Sequence, residues 1–212
     1  MSALIRQTFA VPPLGCNCSI LGDSVSKRAI VVDPGGDAAR ILETVRALGL
    51  TVTAVLHTHA HFDHFLASGE IKQATGAPLY LHADDAELWR ALEIQCRMFG
   101  VPFSPAPPPD AWLKDDDKIP MDGIEGRALH TPGHTPGSLC FWFPGDQLVL
   151  AGDTLFRGGI GRTDLWGGDT RAIERSIRGK LYTLPPDTRV IPGHGPETAI
   201  GFEREYNPFI SG

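Results

Sequence analysis

Apolar positions in the first half of the chain switch repeatedly between a strand-like and a helix-like spacing. Residues 4–11 and 17–21 predict strands, and Arg28-Ala29-Ile30-Val31-Val32 predicts a buried strand closed by Asp33-Pro34-Gly35-Gly36. Residues 38–48 then carry a helical period. Residues 51–56 return to β-branched and apolar side chains and run straight into His59-Ala60-His61-Phe62-Asp63-His64. A helix over 65–75 ending at Gly76, a strand over 78–82 and a longer helix over 84–99 stopped by Gly100 follow.

Residues 101–110 include Pro102, Pro105, Pro107, Pro108 and Pro109, which exclude helix and central strand and predict an extended connector. Beyond it come strands over 124–129, 138–143 and 147–151, a helix over 170–181, a strand over 189–191 and a short helix over 198–206. No internal repeat is visible. Candidate metal ligands lie on both sides of the proline-rich connector and must converge. It is therefore read as a surface loop within one domain spanning 1–212. Two halves, each supplying strands and helices, suit an α/β four-layer αββα sandwich with two sheets face to face and helices outside.

The chemistry sits where predicted strands stop, as expected for a site at the carboxyl end of a sheet. His59, His61, Asp63 and His64 bring four metal-ligand side chains into six residues, and strand alternation followed by the first turn of a helix points them into one pocket. His134, Asp153 and His194 lie in the Gly/Pro-rich stretches Thr131-Pro132-Gly133-His134-Thr135, Ala151-Gly152-Asp153-Thr154 and Pro192-Gly193-His194-Gly195. Packing does not explain such clustering. Seven ligands suffice for two divalent ions. Imidazole and carboxylate without a nearby thiolate suit an open catalytic site holding zinc, with iron or manganese as alternatives.

Composition narrows the partners. The 212-residue chain is 42% hydrophobic and carries a formal charge of -6 with no run of Lys or Arg, which argues against a nucleic-acid partner. No signal-peptide pattern or membrane-length apolar run is visible, so the chain is expected to be cytoplasmic, without a membrane partner. Cys16, Cys18, Cys96 and Cys140 lack disulfide-framework spacing and are expected to be reduced; Cys16 and Cys18, two apart, share a strand face as small buried hydrophobes.

Thr58-His59-Ala60-His61-Phe62-Asp63-His64, followed in order by His134, Asp153 and His194, resembles the metallo-β-lactamase superfamily over nearly the whole chain. Val31-Val32-Asp33-Pro34-Gly35-Gly36, Gly152-Asp153-Thr154-Leu155-Phe156, Gly158-Gly159-Ile160-Gly161-Arg162 and Ile191-Pro192-Gly193-His194-Gly195 extend the likeness to the glyoxalase II (hydroxyacylglutathione hydrolase) group. Its short bacterial type, without the C-terminal helical domain, is the nearest match. The resemblance implies the same αββα fold. It also implies that His59, His61 and His134 hold one metal, Asp63, His64 and His194 a second, and that Asp153 bridges them. Asp63 and Asp153 are thereby placed at the catalytic centre. A hydroxide shared by two ions would attack a thioester carbonyl. A thiolate leaving group, from a thiol of pKa about 8.5, needs little acid assistance. The implied partner is a small-molecule thioester of the hydroxyacylglutathione kind, with no obligate protein partner.

Departures from the family pattern refine this expectation. The β-lactamases of the superfamily generally lack the carboxylate at Asp153, and its nucleases carry further substrate-binding regions not identified here. Where glyoxalase II holds glutathione with a basic residue, an aromatic and a tyrosine, this chain has Arg162, Asp164 and Pro196. Only Arg162 is kept as substrate-binding. With the sequence ending at Gly212, the helical domain is expected to be missing and glutathione recognition weakened. The loop from Gly159 to Asp164 also resembles that of the persulfide dioxygenases, which use one iron; a noncatalytic binding member is the remaining alternative. Asp33 is expected to orient loops near the site rather than ligate, and His57 to face the other way as a structural residue. Asp115-Asp116-Asp117 reads as a solvated turn. The four tryptophans are assigned to packing, with Trp166 near enough to border substrate.

Overall fold

Alternation along the strands divides their apolar side chains between two faces, and in the computed structural model, which describes residues 3–211, the two faces enter different cores. One sheet has six strands in sequence order: β1 (Leu4–Val11), β2 (Cys16–Asp23), β3 (Arg28–Val32), β4 (Thr51–Leu56), β5 (Leu79–His82) and β6 (Ala111–Leu113). Its first two pairings are antiparallel, and those from β3 to β6 are parallel. The chain continues through β7 (Arg127–His130), β8 (Leu139–Phe143), β9 (Leu148–Gly152), a small hairpin of β10 (Leu155–Phe156) and β11 (Gly159–Ile160), then β12 (Arg189–Pro192) and β13 (Thr198–Ala199). The second sheet has the order β13-β12-β9-β8-β7.

Parallel neighbours need crossovers, and helices supply them. Helix α1 (Ala38–Ala47) joins β3 to β4, and α2 (Ser68–Thr75) joins β4 to β5. Helices α3 (Ala86–Arg90) and α4 (Leu92–Phe99) precede the proline-rich connector, α5 (Thr170–Ser176) lies between β11 and β12, and α6 (Ile200–Tyr206) follows β13.

Leu21, Ile30, Val32 and Leu56 face the second sheet and meet Leu139, Phe141, Phe143, Leu148, Leu150 and Ile191 in the central core. Their sequence neighbours Ile20, Ala29, Val31 and Val55 point outward against Ile41 and Val45 of α1 and Ile71 of α2. On the far side, Cys140, Val149, Ala151 and Val190 pack on Ile173 of α5 and Ile200 of α6. Helix, sheet, sheet and helix are thus held by three apolar layers, which is the expected αββα sandwich. A bulge shifts β4 against β3, pairing Ala29 with Val52 but Ile30 with Ala54. Thr53 is the extra residue, so Val52 and Val55 share a face although three apart.

Four helices depart from the periodicity reading, the last of them expected over 198–206 but starting at Ile200 because Thr198 and Ala199 pair with β12 as β13. The helix expected over 65–75 starts at Ser68, after a separate tight turn over Phe62–His64 that places ligand candidates. The one expected over 84–99 breaks at Ala91, where no helix breaker stands. Gln95 there donates to Leu88 O at 2.9 Å and Ala60 O at 3.1 Å and accepts from Phe62 N at 3.1 Å, a tertiary tie invisible to periodicity. The third loses α geometry after Ser176 and finishes in a wider π turn over Ile177–Leu181. The short strands β6, β10, β11 and β13 carry too few residues to show a period.

The connector over 101–110 lies on the surface, with Val101 and Ala106 packed against the cluster that contains Phe62, Phe65, Leu88 and Leu92. Asp110 fixes its end, accepting from Leu79 N at 2.7 Å and from Lys72 Nζ at 2.6 Å. All four cysteines are buried free thiols. Among the described residues no helix is long and apolar enough to cross a membrane.

Candidate metal centre

The seven candidate ligands leave the sheets at one end of the sandwich. His59, His61, Asp63 and His64 follow β4, His134 sits between β7 and β8, Asp153 follows β9 directly and His194 follows β12. Strand β4 ends at Leu56, so the ligand residues occupy an extended loop and a tight turn rather than the strand itself.

Asp33, at the end of β3 with φ 51°, organises that loop. Its Oδ1 accepts from Thr58 N at 2.7 Å and its Oδ2 from Thr58 Oγ1 at 2.7 Å. Having donated its only hydroxyl proton, Thr58 Oγ1 accepts from His59 Nδ1 at 3.0 Å. His64 Nδ1 donates to Asp33 Oδ2 at 3.1 Å, and His134 Nδ1 to Arg162 O at 2.8 Å. In His59 and His134 the proton is therefore held on Nδ1 and the Nε2 lone pair faces inward, and His64 turns its Nε2 edge to the centre in the same way.

The inward nitrogens form two groups. His61 Nδ1 lies 3.0 Å from His59 Nε2 and 3.0 Å from His134 Nε2. One proton on His61 satisfies at most one of those lone pairs, so the trio fits a cation better than a hydrogen-bond network. In the second group His194 Nε2 lies 3.2 Å from Asp63 Oδ2 and 3.3 Å from His64 Nε2. Asp153 stands between the groups: Oδ2 is 3.6 Å from His134 Nε2 and 3.7 Å from His194 Nε2, and Oδ1 is 3.5 Å from His64 Nε2. Oδ1 is buried with no hydrogen-bond partner. An unpartnered buried carboxylate oxygen is costly unless a positive charge compensates it.

The electrostatics agree with that donor set. Burial and the neighbouring His134 hold His61 down to about 3, and burial also lowers His59 and His134, keeping all three neutral near pH 7. Burial opposes protonation of His64, but the surrounding Cys16, Asp153, Asp33 and Asp63 outweigh it and raise it well above its ordinary value. Burial pushes the Cys16 thiol up to about 12, so near neutral pH only the carboxylates contribute. Asp63, although burial works against its ionisation, is held down to about 2 by His64 and His194. Burial opposes protonation of His194 as well, but its bond to Asp63 and the nearby Asp153 raise it. The first group is thus neutral imidazole, while the carboxylates draw positive charge onto the second, the place a divalent ion would take.

Several residues that build the centre carry no motif. Asp85, fully buried, accepts from Ala60 N at 2.9 Å, Thr135 Oγ1 at 2.9 Å and Gly137 N at 2.6 Å. It thereby ties the loop of His59 and His61 to the loop of His134. Asn17 Nδ2 donates to Pro192 O and Gly195 O, each at 2.9 Å, and so brackets His194. Asn17 lies between the two cysteines that drew attention in the sequence, and only the topology reveals its task. Gly193 is required by close approach, since a Cβ there would fall 2.0 Å from Asp153 Oδ1.

Other candidates lie outside the ligand groups. His57 bonds Tyr80 O through Nδ1 at 3.0 Å and Ser68 Oγ through Nε2 at 2.7 Å, and stacks on Phe65. Of the Asp115–117 run, Asp115 bonds Lys180 and His130 N, Asp116 bonds Arg127, and Asp117 accepts from Lys114 N. The Arg162 guanidinium does not reach into the centre unopposed: Nε and Nη2 each lie 2.8 Å from the Asp164 carboxylate. A cleft of about 270 Å3 opens onto the centre, with His61, Asp63, His134, Asp153 and His194 among its floor residues. Its walls include Leu14, Ile94, Met98, Phe99 and Trp166.

The sequence model of the metallo-beta-lactamase superfamily matches residues 11–194. The Haemophilus influenzae protein named hydroxyacylglutathione hydrolase GloC is 40% identical over 197 residues, 92% of each chain. BLEG-1, described as a B3 metallo-beta-lactamase, superposes with TM-score 0.91 at 36% identity, covering 98% of this chain and 100% of its own. TTHA1623, solved in a di-iron-bound form, gives TM-score 0.87 at 37% identity over 95% and 98%. ETHE1 from Myxococcus xanthus gives 0.81 at 29% identity over 96% and 83%.

Proposed function

The chain belongs to the metallo-β-lactamase superfamily, a family of metallo-hydrolases, and we propose that it hydrolyses small-molecule thioesters of the hydroxyacylglutathione kind with two divalent ions, zinc foremost. The observation that carries this reading is the Asp153 carboxylate, set between two ligand trios with one oxygen buried and unpartnered. In this assignment His59, His61 and His134 would hold one ion and Asp63, His64 and His194 the other, with Asp153 placed to serve both. Bound divalent ions supply Lewis acidity, lowering the pKa of water and polarising a carbonyl.

The chain's own residues do the rest. Asp33, Thr58 and the Arg162 carbonyl fix the imidazole tautomers, and Asp85 and Asn17 hold the loops in register. Asp63 and Asp153, on the cleft floor, orient the attacking water by accepting its hydrogens. Among the described residues the cleft lining includes no Lys, Tyr, Ser or Cys to act as general acid, which suits a leaving group that departs as thiolate. The likeness to GloC supports the same substrate class.

Arg162 is assigned to substrate binding in competition with Asp164. Arg162→Ala is expected to raise KM for S-lactoylglutathione about two- to threefold at unchanged kcat, the scale of an exposed ion pair. Asp164→Ala, which frees the guanidinium, is expected to lower KM. Steady-state kinetics of both variants check this.

A second reading, a persulfide dioxygenase with one iron, draws on the loop from Gly159 to Asp164. A third, β-lactam hydrolysis, draws on the likeness to BLEG-1. The discriminating experiment is a panel assay on one metal-replete preparation, with S-lactoylglutathione, a cephalosporin and glutathione persulfide. Thioester hydrolysis without oxygen uptake is the expected result; hydrolysis of the cephalosporin alone, or oxygen uptake alone, overturns the proposal.

A further inference from the structure

Helix α4 breaks the rule that a helix turns polar residues to solvent. Leu92 and Cys96 face the interior, and Glu93 and Arg97 form an ion pair at 3.2 Å on the outside. Ile94 and Met98, one turn apart, should also be polar. They are 58% and 78% exposed. Both turn to the cleft above the metal-ligand cluster, as do Phe99, Leu14 and Trp166, each at least half exposed. Five large apolar side chains exposed around one concave space mark a recognition surface rather than scattered surface hydrophobes.

Charge points the same way. Arg162 is a cation on the lining, and both arms of its fork are engaged by Asp164. An anionic arm of a substrate finds little free positive charge there. The cleft is continuous with His61, Asp63, His134, Asp153 and His194, so whatever rests on the apolar wall is joined to the reacting group. Common biological thiol carriers are polar. The apolar half of a thioester is its acyl chain.

Building on the thioester-hydrolase reading, we propose that the wall formed by Ile94, Met98, Phe99, Leu14 and Trp166 binds the acyl chain. The site then takes thioesters of medium-length apolar acyl groups in addition to short hydroxyacyl ones, and gains from each added methylene. In the reaction water adds its oxygen to the acyl carbon, the C–S bond breaks, and the thiolate leaves and takes up a proton, giving a free carboxylic acid and a thiol.

The test is a series of acetyl, butyryl, hexanoyl and octanoyl thioesters of N-acetylcysteamine, run on the metal-replete full chain. kcat/KM is expected to rise about two- to fourfold per methylene, the factor that moving a methylene from water onto an apolar surface supplies. The surface variant Ile94→Ser/Met98→Ser is expected to flatten that rise. A flat or falling series in an active wild type overturns the inference and leaves the hydrolase reading in place. If no thioester is hydrolysed, the hydrolase reading fails, and binding of S-alkyl-N-acetylcysteamine thioethers of matching length, followed by tryptophan fluorescence, still decides the wall. Affinity that grows with chain length and is lost in the double variant supports acyl binding. Length-independent affinity, or burial of the wall in a self-associated dimer seen by sedimentation, overturns it.

Discussion

Asp153→Ala is expected to cost the protein one of two bound metal ions and to lower kcat for thioester hydrolysis about a thousandfold, in line with removing a preorganised charge from a reacting centre. Asp153 leaves β9 with no freedom to be replaced by a neighbour, since Gly152 and Gly193 close around it through a 2.7 Å bond from Gly193 N to Gly152 O. Its two oxygens lie 3.5 to 3.7 Å from nitrogens of both trios. Without the carboxylate, His59, His61 and His134 still form a complete three-nitrogen group. A pair of ions would lose the carboxylate that lies between the two trios. The sandwich itself should be undisturbed, because Oδ1 makes no hydrogen bond to the rest of the chain. Circular dichroism should match wild type while elemental analysis reports the loss. Two ions and full kcat in Asp153→Ala would refute the bridging role.

Asp85→Ala should act through position rather than contact. Asp85 does not line the cleft, yet its three bonds join Ala60, Thr135 and Gly137 across the two sheets. Burial pushes its carboxyl up to about 6, against the pull of those three donors, so the residue stays largely ionised near neutral pH. Truncation orphans two buried backbone N–H groups and is expected to cost about 3 kcal/mol. For a chain of this size that corresponds to a fall in Tm of about 6–12 °C. Metal affinity should weaken about 10- to 100-fold, the usual penalty for losing support behind ligands. The signature separating positioning from mere instability is rescue: excess metal should restore much of kcat to Asp85→Ala below its Tm, with KM unchanged. Normal metal affinity in a destabilised Asp85→Ala would show the residue to be structural only.

The ease with which different parts of this protein are read from sequence follows from how local their causes are. Strands β3, β4 and β9 are apolar because both faces are buried, and they end at polar residues; that pattern lies within a few residues and needs no tertiary knowledge. The bulge at Thr53 and the break at Ala91 arise from partners far along the chain, β3 in one case and the Ala60 loop in the other. The candidate ligands draw attention because His and Asp are clustered in Gly-rich stretches. Their supports do not: Asp85 follows Asp84 in an ordinary strand exit, Asn17 sits between two cysteines, and Arg162 steers His134 through its carbonyl, a group every residue has. Arg162 shows the converse: its side chain stands out in the sequence as a basic substrate contact, whereas its pairing with Asp164 two residues on appears only in the structure.

The central claim, two ions shared by seven side chains and used for hydrolysis, is tested most directly by elemental analysis of protein purified without added metal. Thioester hydrolysis and oxygen uptake should be followed on the same sample. Near two equivalents of metal per chain, with hydrolysis that disappears on chelation and returns on reloading, is the result expected. One equivalent of iron with persulfide-dependent oxygen uptake would contradict it.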